Sequence, residues 1–105
     1  MKRLKRRYLL LQIDIDDGLS QREFLEAIWG SIEKLYGENG ASYANLSLIN
    51  YDESAKRAIV RISLNALQPV RASLALITRI AERCAAVHVS RISGTIKSLE
   101  EKTAK

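Results

Sequence analysis

From Leu9 to Ile15 the apolar residues occupy every second position: Leu9, Leu11, Ile13 and Ile15, with Leu10, Gln12 and Asp14 between them. Period two is the spacing of a β-strand that buries one face. Asp16-Asp17-Gly18 then supplies turn chemistry that ends the strand. Five of the first seven residues are cations, namely Lys2, Arg3, Lys5, Arg6 and Arg7. A positive arm therefore runs straight into a core strand, and its place in the fold is tied to that strand.

The next constraint is helical. Ser20 stands three residues before Glu23, the spacing of a capping box. Phe24, Leu25, Ile28, Trp29, Ile32, Leu35 and Tyr36 follow at helical spacing, so Trp29 reads as core and Gly37 as the stop. Gly30 costs about 1 kcal/mol against Ala inside a helix, which points to close approach by another backbone. Residues 38–42 read as loop. Leu46, Leu48 and Ile49 mark a second strand ending near Tyr51, and Asp52 to Lys56 a hairpin turn. In the third strand, RAIVRIS, Ala58, Val60 and Ile62 point in while Arg57, Ile59, Arg61 and Ser63 point out. A second helix, with Asn65 or Gln68 as cap and Pro69 in its first turn, carries Val70, Ser73, Leu74, Ile77, Ile80 and Ala81 inward. Cys84 reads as a small hydrophobe near its end. The fourth strand, AAVHVSRIS, sets Val87 and Val89 on one face and His88, Ser90 and Ile92 on the other, and Gly94 ends it.

The order β-α-β-β-α-β predicts an α+β fold: an RRM-like or ferredoxin-like sandwich, a four-stranded antiparallel sheet with two helices on one face. The first and third strands are then central neighbours. Tyr8, Leu10 and Gln12 lie beside Arg57, Ile59 and Arg61 on the open face. Residues 1–7 form the basic arm, 8–96 the domain and 97–105 a polar C-terminal tail.

A chain of 105 residues supports one modest core. One cysteine excludes a disulfide framework. No apolar run approaches the ~20 residues of a membrane span, and the apolar run after the first cations is broken by Gln12, Asp14, Asp16 and Asp17, which speaks against a secretory signal, so a cytoplasmic location is expected. The net charge of +5 is unevenly spread. Residues 1–7 carry +5, residues 8–53 carry −7 and residues 54–97 carry +7. A cationic arm and a cationic half suit an anionic partner, nucleic acid first.

Catalytic chemistry is poorly supplied. His88 has no partner at readable spacing, and the five glycines are scattered rather than gathered in a phosphate loop. Asp14, Asp16 and Asp17 read as a solvated turn, not a metal cluster. The central strands also lack the aromatics on which single-stranded bases stack, apart from Tyr8. A basic, partly apolar sheet face suits phosphate contact or protein docking.

The stretches RRYLLLQID, FLEAIWGSIEKLYGENGAS, LSLINYDESAKRAIVRIS, PVRASLALIT and HVSRISGTIKSL resemble the Pop-five/Rpp-fourteen family, the archaeal ribonuclease P protein component 2 group. The similarity covers roughly residues 5–99, and NYDESAKRAIVR and RISGTIKSL are its specific part. The resemblance implies an RRM-like sandwich in a ribonucleoprotein whose RNA removes the 5′ leader of precursor tRNA with bound Mg²⁺. This chain would then be a non-catalytic subunit of an endoribonuclease, with no cofactor of its own and contact with precursor tRNA only indirectly. It also implies a TIM-barrel-like protein partner of the Rpp-thirty family and pairing into dimers of heterodimers. Candidate RNA contacts, chosen by charge and face, are Lys5, Arg6, Arg7, Arg57, Arg61, Arg91 and Lys97, with Lys2 and Arg3 further out in the arm. Arg91 falls on the inner parity of its strand, which marks either a bulge or a carboxylate partner. Candidate partner contacts are Tyr8 and the apolar residues Leu10, Ile59 and Ile92, expected to be exposed. The alternative is a ferredoxin-like regulatory or interaction module without RNA. An acylphosphatase-like hydrolase lacks its anion-cradling loop.

Overall fold

The structure, a computed structural model, describes residues 5–16, 18–44 and 46–95, and among these the side chains of all but 38–44. The chain runs β1 (Arg6–Ile15), α1 (Gln21–Ala44), β2 (Ser47–Asp52), β3 (Arg57–Ser63), a 3₁₀ turn (Leu64–Ala66), α2 (Leu67–Ala75), β4 (Arg79–Ile80) and β5 (Arg83–Ser93). The strands form one antiparallel sheet in the order β2-β3-β1-β5-β4. β1 lies between β3 and β5, hydrogen-bonded on both edges. Arg6 and Arg7, assigned to the arm by sequence, belong to β1.

The period-two reading of β1 and β3 is met on the inner face, while Ser63, expected outward, is buried at the end of β3. Leu9, Leu11, Ile13 and Ile15 are buried, as are Ala58, Val60 and Ile62 opposite them. Both helices cover this face. Phe24, Ile28 and Ile32 from α1 and Val70 and Leu74 from α2 join the same core. Phe24 stacks on Tyr51 with ring centroids 5.2 Å apart, and the Tyr51 hydroxyl donates to the Leu19 carbonyl. That pins the α1 N-terminus to the edge strand β2. Trp29 is half-buried against the core.

The capping box forms as the spacing predicts. The Ser20 backbone N–H donates to Glu23 Oε1 at 3.1 Å, and the Glu23 N–H donates to Ser20 Oγ at 3.1 Å. These Ser20 groups, with Arg83 nearby, hold the Glu23 carboxyl below the usual glutamate range.

Five strands stand where the sequence predicts four. The difference lies after Ala75. Helical spacing predicts a second helix through Ala81, but α2 ends at Ala75, closed by i→i+3 bonds from Leu76 N to Ser73 O and Ile77 N to Leu74 O, both 3.2 Å. Ile80 enters β4 and Arg83 opens β5. The two-residue turn between them places Ala81 (φ 52) and Glu82 (φ 64) in the left-handed region. Consecutive positive φ values make a type I′ hairpin, whose usual signal is Asn-Gly. Ala-Glu carries no such signal, and Ile77 and Ile80 reach the core in either arrangement, so the hairpin imitates helical spacing. Cys84 is consequently exposed on a strand, not packed at a helix end.

Four smaller expectations also change. Residues 38–42, expected as loop, are helical, because α1 breaks at Gly37 (φ 73, ψ −179) and then resumes. That conformation is reserved for glycine in practice. Leu35 and Tyr36, expected in the core, are exposed. Neither Asn65 nor Gln68 caps α2; its N-cap position is Ala66, with no side-chain bond. No backbone approaches Gly30, where an added Cβ would meet nothing within 4 Å.

Three outcomes follow from this packing. Replacing Ala81-Glu82 by Asn-Gly removes left-handed strain of roughly 1–2 kcal/mol per residue, so urea unfolding should show a stabilisation of about 1 kcal/mol or more. Ser20→Ala should destabilise by about 1 kcal/mol in the same measurement. The lowered Glu23 pKa gives a contribution that is present above the unfolded-state pKa and lost as pH falls through the folded-state value. Stability measured against pH should therefore fall less steeply in the acid range for Glu23→Gln than for the natural chain.

Candidate nucleic-acid interface

The sheet face opposite the helices carries the candidate residues, and the register fixes their rows. Arg61 of β3, Tyr8 of β1 and Ser93 of β5 stand in one row. Ile59, Leu10 and Arg91 form the next. Arg57, Gln12 and His88 form a third. On the outer side, Ser47, Asn50 and Asp52 of β2 continue the three rows.

Arg91 reaches this face through a bulge. Leu10 pairs with Arg91 but Leu11 pairs with Val89, so Ser90 is an extra residue in β5. The extra residue reverses the in-out parity beyond it. Arg91 therefore turns outward beside Leu10 and is exposed, while Ile92, opposite Leu9, turns inward and packs half-buried against the main core. Of the two explanations for the parity of Arg91, the bulge holds. A second bulge in β2, at Ile49, keeps Leu48 inward opposite Val60 and Asn50 outward opposite Ile59.

The expected exposed apolar patch does not form. Leu10 and Ile59 are each only 7% exposed and make a small second cluster with Tyr8 packed against them. They are direct cross-strand partners, the closest relation two side chains on a sheet face can have. With Ile92 turned to the helix side, Tyr8 is the half-buried aromatic of that group on the open face.

The cations divide by position. Lys5 and Arg6 are exposed at the start of β1, next to the Arg61 and Arg91 rows. Arg7 is half-buried on the opposite parity, paired with Ile62, and donates from Nη1 to the Arg6 carbonyl at 2.9 Å. Arg61 is half-buried and Arg57 exposed, its Nε donating to Gln12 Oε1 at 3.3 Å. Lys2, Arg3 and Lys97 lie outside the described residues. At the other end of the face stand Asp14, exposed at the end of β1, and Asp52 opposite Arg57. The face is thus cationic at the arm end and mixed at the turn end, where Arg57 stands beside Asp52.

Sequence reading set His88 on the parity opposite Val87 and Val89, and the register puts it in a row with Gln12 and Arg57; it did not place Asn50 here, because the β2 bulge hides that signal. Arg83 is structural: its Nη1 donates to the Gly18 carbonyl at 2.9 Å and its Nη2 lies 3.8 Å from Glu23. Among the described residues no group of three His, Cys, Asp or Glu is placed to hold a metal ion. No helix among them is long and apolar enough to cross a membrane.

The sheet face thus presents an arginine in each of its three rows, one half-buried tyrosine and little exposed apolar surface. Comparison with known proteins gives it a family. The sequence profile of the Rpp14/Pop5 family matches residues 7–104, and the chain belongs to that family. Ribonuclease P protein component 2 of Pyrococcus furiosus is 34% identical over 93% of this chain and 82% of its own length. The protein of the same name from Methanosarcina barkeri is 31% identical over 95% of this chain and 73% of its own. A chain in the cryo-EM structure of yeast ribonuclease MRP shares the fold, with a TM-score of 0.75 at 13% identity over 99% of this chain and 95% of that one.

The bulge has a direct test. Deleting Ser90 puts Arg91 directly after the inward Val89, so a regular β5 keeps Arg91 outward opposite Leu10 and Ile92 inward opposite Leu9. Neither residue changes face, so the stability read from urea unfolding should move by no more than about 1 kcal/mol.

Proposed function

We propose that this chain is an RNA-binding protein subunit of ribonuclease P, acting in the cytoplasm on the removal of the 5′ leader of precursor tRNA. Membership of the Rpp14/Pop5 family, with relatives named ribonuclease P protein component 2, carries the reading. The reading takes the fold as RRM-like; the strand order β2-β3-β1-β5 and the helices on one face support it.

In this reading the chain does no bond chemistry. The catalytic RNA holds the Mg²⁺ ions, and the protein neutralises phosphates and supports the RNA fold. Lys5, Arg6, Arg57, Arg61 and Arg91 would meet the RNA backbone, with Lys2, Arg3, Arg7 and Lys97 as further cations of the same set. Arginine donates in a planar fork that matches phosphate oxygens. Such contacts position an RNA without reading its sequence. Tyr8, between the Arg61 and Ser93 positions, offers a phenol ring of the open face to a base or a sugar. The assembly would include the Rpp-thirty-family barrel subunit, and precursor tRNA would meet this chain only through the RNA.

Reconstitution tests the function. Precursor-tRNA cleavage by the RNA with its remaining subunits should rise, and need less Mg²⁺, when this chain is added. Unchanged cleavage across the Mg²⁺ titration would overturn the reading. Replacing Arg57, Arg61 and Arg91 by Ala should weaken RNA binding and flatten its salt dependence, by about 0.9 log unit for each duplex phosphate that is no longer neutralised.

A further inference from the structure

On the helix side, away from the cationic sheet face, α1 and the segment after α2 leave a groove between them. Gly30, Lys34 and Leu35 line one wall, and Leu76, Ile77 and Arg79 the other. Its volume is about 470 Å³. The floor is open because Gly30 has no side chain, and a Cβ built there meets nothing within 4 Å. Leu35 is 42% exposed and Leu76 60% exposed, and both line this gap. Exposed leucines gathered on one groove with a polar rim mark an interaction site, whereas scattered ones mark nothing.

The rim is charged in one sense. Among the described residues the charged side chains lining the groove are Lys34 and Arg79. Arg79 spends one Nη2 bond on the Glu82 carbonyl at 2.8 Å, and guanidinium has further donors. We propose that this groove receives an acidic amphipathic helix from a partner protein. Leucine-sized residues at i, i+4 and i+7 fill the space above Gly30 between Leu35 and Leu76, and flanking carboxylates meet Lys34 and Arg79. A second copy of this chain fits worse, since a two-fold contact would set Lys34 and Arg79 against their own counterparts. The apolar walls, without an aromatic ring, offer little to a nucleic acid.

The experiment uses the full chain and two fluorescent 18-residue helical peptides. Both carry Leu at i, i+4, i+7 and i+11; one has Glu on the flanks and the other Lys. Anisotropy titration should show the Glu peptide binding with Kd on the order of 10 μM and the Lys peptide at least tenfold weaker. Gly30→Leu, which fills the floor at an exposed helical position with a better helix former, should weaken the Glu peptide at least tenfold while the circular dichroism spectrum is kept. Lys34→Glu with Arg79→Glu should reverse the preference. Four results would overturn the proposal: neither peptide binds; both bind equally; Gly30→Leu binds undiminished; or Arg57→Ala with Arg61→Ala abolishes binding, which places the peptide on the open sheet face. Sedimentation showing a dimer that Leu76→Asp dissolves would assign the groove to self-contact instead.

Discussion

The double pairing of β1 is the interaction on which everything else rests. Its backbone is bonded to β3 on one side and β5 on the other, and its inward residues Leu9, Leu11, Ile13 and Ile15 lie under both helices. A strand so placed cannot slide by one residue without exchanging its whole apolar set for Leu10, Gln12 and Asp14. Its register is therefore fixed by the hydrophobic effect, and the register fixes the rows of the open face. The position of the basic arm follows as well, since Lys5 leads directly into Arg6 at the head of that strand.

The open face then depends on a bulge. If Ser90 were paired in the ladder in regular alternation, Arg91 would face the helices and β5 would offer the open face an isoleucine. With Ser90 left out of the pairing, the guanidinium joins Arg61 across the Leu10 and Tyr8 rows, and Ile92 fills the core. Leu10 and Ile59 shield one another and keep the face from being a hydrophobic patch. The result is a surface whose outward chemistry is cationic and whose apolar content is spent on holding the sheet together.

Much of this could be read from residue order. The alternation in β1 and β3, the Ser20–Glu23 box and the Phe24-Ile28-Ile32 stripe each state a local preference that the tertiary structure satisfies. Arg91 on the wrong parity is itself the trace of the bulge. The parts that escape are those where two structures bury the same residues. Ile77 and Ile80 lie three apart, so a helix and a tight hairpin both bring them inward, and the Ala81-Glu82 turn has none of the residues that favour positive φ. The exposure of Leu35 and Tyr36 is equally hidden, because a helical stripe states which residues share a face and not where the neighbouring element stops covering it. The buried state of Leu10 and Ile59 needs the cross-strand register, which depends on long-range pairing.

The uneven placement of charge on the open face has one more consequence. Lys5, Arg6, Arg61 and Arg91 stand at one end, Asp14 and Asp52 at the other. Such a surface has a direction. A rod-like polyanion drifting within a Debye length, about 8 Å at physiological salt, feels a torque as well as an attraction. It is held more strongly over the head of β1 than over the far turn, where Arg57 stands beside Asp52 and the signs nearly cancel. A rod of uniform charge has no head or tail, so the gradient biases where along the face such a rod settles and not which way it points.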